Sequence, residues 1–295
     1  MSVPAAYLGI ILIWATTPLA IKWSNEGTGF LLAISARMSV GFFICLLLLW
    51  LLRIPMRWDR DALVTYLAAG LGMFAALLSV YWGAQYIPSG LISVLYGLSP
   101  ILMGLFAALW LQERFFTPWK LAGVLIALGG LVVIFVPRSD LGTFWMLGLG
   151  GVLLSVLVHS ISAVWVKRQA AHLHPMVINC GALSLAVPLY LLCWLLFGDE
   201  TPAQLPERSM GAILYLAIFG TVVGFNLYFY VLKRVSAMAV GVITLITPVL
   251  ALLLGQGLNG ELIGDHVWYG TVAILLGLAL FMWGHLWRTA RVSAR

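Results

Sequence analysis

The sequence predicts an all-α membrane protein with ten transmembrane helices, arranged as two inverted-topology repeats of five helices, and with both chain termini in the cytoplasm. Three observations lead to this fold class. Apolar residues make up 63% of the chain and charged residues only 9%, whereas a soluble domain carries about 25% charged residues. Ten apolar segments are long enough to cross a bilayer. Residues of the first half also return in the second half at two closely similar offsets, 145 and 148.

The ten predicted spans follow one another through short connections. A span needs roughly 20 apolar residues, and most connections contain helix breakers, for example Pro88-Ser89-Gly90. No connection is long enough to hold a soluble domain, and the alternating pattern of a membrane β-barrel is absent. The spans are predicted at residues 4–23, 30–52, 62–86, 90–111, 118–136, 144–166, 176–197, 211–233, 237–258 and 267–287.

Basic residues predict how the chain is oriented in the membrane. If the N-terminus lies inside, twelve Lys and Arg residues fall on the cytoplasmic side and three on the outer side. Cytoplasmic loops carry an excess of Lys and Arg, so this orientation is favoured over its reverse. Both termini are then cytoplasmic, which requires an even number of spans.

A spaced motif relates the two halves of the chain. Ser99-Pro100 and Glu113 in the first half return as Thr247-Pro248 and Glu261, each 148 residues later. The first spans of the two halves also match, at an offset of 145: Trp14 with His159, Thr17 with Ser162, and Lys22 with Lys167. The recurrence of residue types at fixed spacing predicts a tandem duplication.

The two predicted repeats have opposite topology. They occupy residues 1–143 and 144–295, and each contains five spans, so the second enters the membrane in the opposite direction. Inverted repeats are typical of secondary transporters, in which the substrate site lies near the midplane at the repeat interface. We expect the site between spans one, three, four, six, eight and nine.

Several motifs resemble those of a known family. Leu-Ile-Trp-Ala-Thr-Thr-Pro-Leu-Ala-Ile-Lys at 12–22, Ala-Arg-Met at 36–38 and the repeated Ser/Thr-Pro…Glu spacing look like EamA-type members of the drug/metabolite transporter superfamily. The resemblance covers nearly the whole chain. It implies ten spans and the transport of small metabolites, often amino acids and usually outward. The chain departs from the family pattern at His159, where a tryptophan is frequent.

Polar side chains at membrane depth are candidates for substrate contact, because burying them in lipid is costly, and aromatic side chains in the same spans are candidates for the lining of an amphipathic cavity. His159 can bind a polar substrate or take up a proton, or it can be a structural histidine bonded between helices. Arg37 can pair with a carboxylate, or its side chain can extend to the surface. The other candidates, for which helix packing or an interfacial position is the alternative, are Trp14, Thr17, Tyr81, Gln85, Tyr96, Asn226, Tyr230 and Thr244.

Two prolines interrupt predicted spans at equivalent positions. Pro100 and Pro248 each remove a backbone donor and free a carbonyl one turn earlier. Because the pair recurs in both halves, we expect hinges beside the cavity, with a static kink as the alternative.

The predicted function is that of a secondary transporter, an exporter of small metabolites such as amino acids, working by alternating access in the bacterial inner membrane. A channel or facilitator for small polar solutes is the alternative. An intramembrane enzyme is disfavoured because no His-Glu-x-x-His motif and no aspartate pair at membrane depth occur. The expected partners are a small-molecule substrate and the lipid bilayer, with a homodimer left open. We expect no cofactor and no metal. Nucleic acid is not an expected partner either, since the basic residues are scattered singly.

Overall fold

The computed structural model describes residues 2–111, 117–135, 144–169, 172–198, 204–235, 240 and 243–283, and every regular element within them is helical. A π-helical segment, Leu216–Gly224, joins two of the α-helices. The α-helices are α1 (Val3–Asn25), α2 (Phe30–Leu51), α3 (Arg60–Gly83), α4 (Ser89–Tyr96), α5 (Ser99–Leu111), α6 (Pro118–Phe135), α7 (Trp145–Gln169), α8 (Pro175–Phe197), α9 (Glu207–Tyr215), α10 (Phe225–Leu232), α11 (Ile243–Asn259) and α12 (Asp265–Trp283).

The helices are those of a multi-pass membrane protein. Seven helical stretches in the described part of the chain are long and apolar enough to cross a membrane, and two shorter apolar helices accompany them. The predicted spans at 118–136, 237–258 and 267–287 correspond to α6, α11 and α12, which have 18, 17 and 19 residues. The count of ten spans and the cytoplasmic position of the termini stay predictions.

Large apolar side chains cover the outside of the helices. Phe43, Trp50, Leu195 and Phe197 are each more than 60% exposed, although water would make such a surface unfavourable. A lipid environment accommodates it, because apolar side chains lose nothing by contact with acyl chains. The many apolar residues of the sequence therefore form an apolar outer surface, as expected of a protein surrounded by lipid.

The fourth predicted span is interrupted just before Pro100. α4 ends at Tyr96 and α5 begins at Ser99, so Gly97 and Leu98 lie between two helices. Gly97 donates its N–H to the carbonyls of Ser93 and Val94, and Leu98 to that of Leu95, which is the tighter pattern of a helix end. Proline cannot donate to the carbonyl four residues earlier. The equivalent Pro248 lies inside the uninterrupted α11.

The eighth predicted span differs from the uninterrupted helix that the sequence suggested. Its middle turns, Leu216–Gly224, are π-helical, between α9 and α10. A π-helix is wider than an α-helix and turns side chains to new directions. The apolar stretch contains glycines but no proline, so hydropathy gives no signal of this change.

The two halves contact each other through corresponding helices. α3 packs against α7 and α8, whereas the segment from α9 to α10 packs against α1 and α2. The third span of each half therefore contacts the first two spans of the other half. α4 packs against α11 and α6 against α12, which pairs the fourth and the fifth spans in the same way. This arrangement fits two repeats; their predicted boundary, at residues 143 and 144, falls at the edge of the described ranges.

Candidate functional site

A cavity of about 100 Å³ lies where helices of both halves meet. Side chains of α1, α2, α3 and α4 line it from the first half, and those of α7, the π-helical segment, α10 and α11 from the second half. This set includes every predicted span of the expected site and adds the second span, through Arg37. The cavity is smaller than an ordinary ligand pocket of roughly 300–1,000 Å³.

The structure brings together part of the predicted site. Trp14, Thr17, Arg37, Tyr96 and His159 all line the cavity. A sixth candidate, Tyr81, is fully buried, and its hydroxyl lies 3.1 Å from Nη1 of Arg37. Tyr81 therefore supports a lining residue rather than facing the cavity itself.

Three other candidates lie away from the cavity. Gln85 follows the end of α3 at Gly83, and its exposed amide donates to the carbonyl of Trp82. Phe225 faces the cavity, and each residue of an α-helix is turned about 100° from the one before. That rotation carries Asn226 and Tyr230 to other faces of the helix.

The contacts of these two residues fit that placement. The amide of Asn226 donates to the carbonyl of Val222 at 2.6 Å. The guanidinium carbon of Arg234 lies 3.6 Å from the ring centre of Tyr230. The side chain of the remaining candidate, Thr244, lies outside the described part of the structure. Thr247, also on α11, lines the cavity.

Arg37 is a charged side chain held deep inside the helix bundle. Only 2% of the residue is exposed. Nε donates to Oγ1 of Thr221 at 3.0 Å, and Nη1 donates to the hydroxyl of Tyr81 at 3.1 Å. Nη2 donates no hydrogen bond to any described residue, and no described carboxylate lies within ion-pair distance of Arg37. Among the described residues, the cation is therefore bound only by neutral groups.

Glycines make room for the guanidinium. A Cβ at Gly220 would lie 2.8 Å from Nη2 of Arg37, closer than such atoms approach in proteins. A Cβ at Gly41 would lie 2.6 Å from Cγ2 of Thr221, so this glycine lets α2 approach the π-helical segment. Gly220 therefore leaves space for Nη2 of Arg37, and Gly41 lets Thr221 come close to α2.

An aromatic cluster forms another wall. The ring centre of Trp14 lies 6.1 Å from that of His159 and 5.3 Å from that of Tyr228, and His159 lies 5.5 Å from Tyr228. Tyr96 lies 5.9 Å from His159. Neither ring nitrogen of His159 bonds a residue in the described ranges. A neutral imidazole there offers a ligand one donor and one acceptor.

The hydroxyl of Tyr96 has a defined direction. Ser155 donates its hydroxyl proton to the carbonyl of Ala76 at 2.5 Å, and the hydroxyls of Tyr96 and Ser155 are 2.6 Å apart. Because Ser155 has used its only proton, Tyr96 must be the donor to Ser155. The lone pairs of Tyr96 then remain to accept a hydrogen bond.

Several lining residues were not among the predicted candidates, although their spacing carries a signal. Trp14 and Thr17 are three residues apart on α1, and continuing that helical face gives Pro18 and Ile21. On α3, Met73, Ala76, Leu77 and Val80 follow the same spacing and line the cavity. They are apolar, so a search for polar and aromatic residues does not find this face. The additional lining residues are Pro18, Ile21, Met73, Ala76, Leu77, Val80, Ile92, Ser93, Gly220, Phe225 and Thr247.

A second polar cluster joins the two halves near the ends of α1 and α11. The carboxylate of Glu261 accepts the N–H of Ser89 at 3.0 and 2.9 Å and that of Gly90 at 3.4 Å, so it caps the N-terminus of α4. Nζ of Lys22 lies 3.9 Å from the same carboxylate and donates to the carbonyl of Ile87 at 3.2 Å. The corresponding Glu113 lies outside the described residues.

The repeat recurs in the contacts of two lysines. Lys22 donates to the carbonyl of Ile87, and Lys167 donates to that of Val235 at 2.5 Å. The lysines are 145 residues apart and their acceptors 148, which are the two offsets of the sequence repeat. Equivalent side chains therefore bind equivalent carbonyls in the two halves.

Known proteins resemble this chain along its whole length. The uncharacterized transporter YoaV of Bacillus subtilis is 26% identical, with 98% of both chains covered. The uncharacterized inner membrane transporter YedA of Escherichia coli is 27% identical over 95% of this chain and 90% of its own. One solved crystal structure of a protein has a TM-score of 0.70 and covers 95% of this chain and 96% of its own, and at 22% identity it shows the fold alone.

The family itself is shown by a match in each half. The model of the EamA-like transporter family matches residues 3–136 and again residues 146–283. The two matches fall on either side of the predicted boundary between the repeats. The resemblance inferred from the sequence motifs is confirmed, and the chain belongs to the EamA-like transporter family.

Proposed function

We propose that the protein is a secondary transporter that exports small metabolites, such as amino acids, by alternating access around the described cavity. The observation that carries this proposal is the combination of Arg37 and His159 in one cavity between the two halves. Both side chains have hydrogen-bonding atoms without an acceptor or donor among the described residues. Polar groups at membrane depth that the protein does not satisfy are typical of substrate pathways.

The proposed topology has ten spans in two inverted repeats, with both termini in the cytoplasm. Support comes from two observations. The third span of each half packs on the first two spans of the other half, and Lys22 and Lys167 donate to equivalent carbonyls. The relative YedA is named as an inner membrane transporter, which supports a location in the bacterial inner membrane. The even number of spans follows from the distribution of basic residues.

In the proposed cycle, the contact between Glu261 and the start of α4 closes the outer side of the cavity. That contact ties a loop of the second half to a helix of the first half. Opening outward requires the carboxylate to leave Ser89 and Gly90, and opening inward requires movement near Lys167 and Val235. The interruption between α4 and α5 gives the chain a place to bend beside Tyr96.

The proposal is tested by counterflow in proteoliposomes that contain the purified full-length protein. Vesicles are loaded with an unlabelled mixture of amino acids and short carboxylic acids, and each labelled solute is then added outside. A transporter accumulates label transiently above equilibrium, whereas a channel or facilitating pore only equilibrates it. Protein-dependent overshoot of at least one solute is expected.

Variants of the cavity locate that activity. His159→Ala and Trp14→Ala should each reduce the initial rate at least about tenfold, the effect of losing roughly 1.4 kcal/mol of substrate interaction. Arg57→Gln is the control, because Arg57 is exposed in the connection between α2 and α3 and pairs with Asp59. Normal rates in both cavity variants would contradict the proposed site.

A further inference from the structure

The charge of Arg37 has no counter-ion within the described structure. A buried cation needs a partner, because removing it from water costs several kcal/mol unless an opposite charge or several hydrogen bonds compensate. Thr221 and Tyr81 supply two hydrogen bonds to Arg37, and both are neutral. The two N–H groups of Nη2 remain without an acceptor among the described residues.

The cavity beside Arg37 has a net positive charge. Arg37 is the only Lys, Arg, Asp or Glu among the described lining residues. None of the carboxylates in the described ranges lines the cavity or pairs with Arg37: they lie at helix ends or in connections, and are Glu26, Asp59, Asp61, Glu207, Glu261 and Asp265. A ligand with one negative charge would neutralise the site, whereas a zwitterion would leave it positive.

The remaining lining is mainly apolar. Trp14, Leu77, Ile92 and Phe225 are among the apolar side chains that line the same cavity as Arg37. The hydrogen-bonding groups are hydroxyls and the imidazole of His159, which are weak partners for an ammonium group compared with a carboxylate. The volume of about 100 Å³ suits a small ligand body.

We propose that the cavity binds a small monocarboxylate with an apolar body and without an ammonium group. Its carboxylate accepts hydrogen bonds from Nη2 of Arg37, beside Gly220, and its hydrocarbon part lies against Trp14 and Phe225. This inference rests on the proposed function only in taking the cavity as the substrate site. Within the small metabolites of the proposed function, it replaces amino acids by organic anions as the expected substrates.

The amino group is the feature that sets the two classes apart. Placing an ammonium group in this cavity removes it from water beside the charge of Arg37, with no carboxylate from the described lining to offset the repulsion. The corresponding acid has the carboxylate that attracts Arg37 and lacks the ammonium group that Arg37 repels. The site therefore discriminates between molecules that share a carbon skeleton and differ in one charged group.

The experiment compares three ligands of the same skeleton: isocaproate, isocaproamide and leucine. Thermal unfolding of the purified full-length protein is followed against ligand concentration, since a ligand bound to the folded state raises the melting temperature. Phenylpropionate, phenylpropionamide and phenylalanine form a second series with a larger body. Each variant is measured in the same way: Arg37→Gln at the site and Arg57→Gln as the exposed control.

The expected result is at least about tenfold tighter binding of an acid than of its amide or amino acid, the range for a hydrogen bond to a charged group. Arg37→Gln should abolish this preference and Arg57→Gln should retain it. If Arg37→Gln does not fold, the comparison of acid with amide in the natural protein decides. Equal or tighter binding of leucine, phenylalanine or either amide would overturn the proposal.

Counterflow of the same compounds separates this inference from the proposed function. Binding of an acid without protein-dependent flux would keep the anion site and contradict transport. Flux of amino acids or neutral solutes, with no binding of either acid, would keep transport and overturn the anion site. The absence of both binding and flux would count against both.

Discussion

Arg37 owes its direction to residues that are small or carry a hydroxyl group. Thr221 accepts from Nε, Tyr81 from Nη1, and Gly220 leaves space beside Nη2. None of the three is charged, so each positions the guanidinium without neutralising it. The side chain consequently faces the cavity and does not extend along α2 towards the membrane surface.

Gly220→Ala tests this placement of the guanidinium. The new Cβ would lie 2.8 Å from Nη2, so Arg37 must move or the π-helical segment must shift. We expect binding and flux to fall at least about tenfold while the fold is kept, because the atom that must move is the far end of the flexible Arg37 side chain. Binding is measured by ligand-dependent melting and flux by counterflow.

Gly211→Ala is the matched control for that substitution. Gly211 lies on α9, and a Cβ added there would have no described heavy atom within 4 Å beyond its own surroundings in the helix. Alanine also favours a helix over glycine by roughly 0.5–1 kcal/mol. The control should keep binding and flux unchanged. Unchanged binding in Gly220→Ala as well would show that Arg37 does not depend on this space.

At the scale of single residues, the sequence indicated which side chains need a polar partner better than it indicated which of them face the cavity. Arg37 and His159 stood out because each is costly in lipid, and Trp14 because it aligns with His159 in the repeat; all three line the cavity. Gln85 and Asn226 met the same criterion, yet each donates to a nearby backbone carbonyl. Polarity shows that a group needs a partner, but helix rotation and helix ends decide whether that partner is a ligand.

Two helix irregularities border the cavity. α4 ends at Tyr96, and the π-helical segment contains Gly220, which both line the cavity. An interruption turns side chains away from the regular helical direction and leaves backbone groups outside the regular pattern. These two elements are therefore the positions at which small backbone changes would alter the shape of the cavity most directly.

A pH-dependent helix cap lies at the start of α8. Nδ1 of His174 accepts the N–H of Met176 at 3.3 Å, which a protonated nitrogen cannot do. Partial burial, followed by the charges of Lys233 and Arg234, lowers the pKa of His174 from its ordinary value. The folded state favours the neutral imidazole. Its stabilising contribution is complete above the ordinary pKa of about 6.5 and is lost as the pH falls through the lower folded-state pKa.

His174→Asn should make thermal stability less sensitive to acid. Asparagine is a good N-cap and does not titrate, so the melting temperature should fall less than in the natural protein between about pH 7.5 and pH 5. Melting curves across this range provide the measurement. His172→Asn, in the same connection but without a described cap, should keep the natural dependence; an identical slope in all three proteins would rule out the cap as its source.

At the scale of elements, hydropathy predicts helices well and their irregularities only where a special residue marks them. The second span was expected at 30–52 and is found at Phe30–Leu51. Pro100 signalled the interruption of the fourth span because proline lacks an N–H. The π-helical segment has no such marker, since its residues suit an ordinary apolar helix equally well.

The whole molecule is organised by corresponding contacts between its halves. Lys22 and Lys167 bind equivalent carbonyls, and the third span of each half packs on the first two spans of the other. Such correspondence fits the tandem duplication that the repeat offsets predict, because duplicated segments retain the same packing faces. The side of the membrane on which each terminus lies is set during insertion. The basic residues predict it, whereas contacts between helices are the same in either orientation.

Glu261 is the residue through which the two halves meet at one end of the cavity. Its side chain is 5% exposed, binds the start of α4 and lies 3.9 Å from Lys22. In the proposed topology this is the outer end. Weakening the contact should favour the outward-open state at the expense of the inward-open state, because the two states exclude each other.

The most direct test of alternating access is thiol labelling at position 93 from each side of the membrane. Ser93 lines the cavity, and Ser93→Cys is introduced after Cys45, Cys180 and Cys193 are replaced by alanine. An impermeant reagent is applied from outside or from inside, with and without Glu261→Gln, and Glu207→Gln serves as the control.

We predict that Glu261→Gln raises the rate of labelling from outside and lowers the rate from inside. Parallel increases from both sides, as in a pore, would contradict the account.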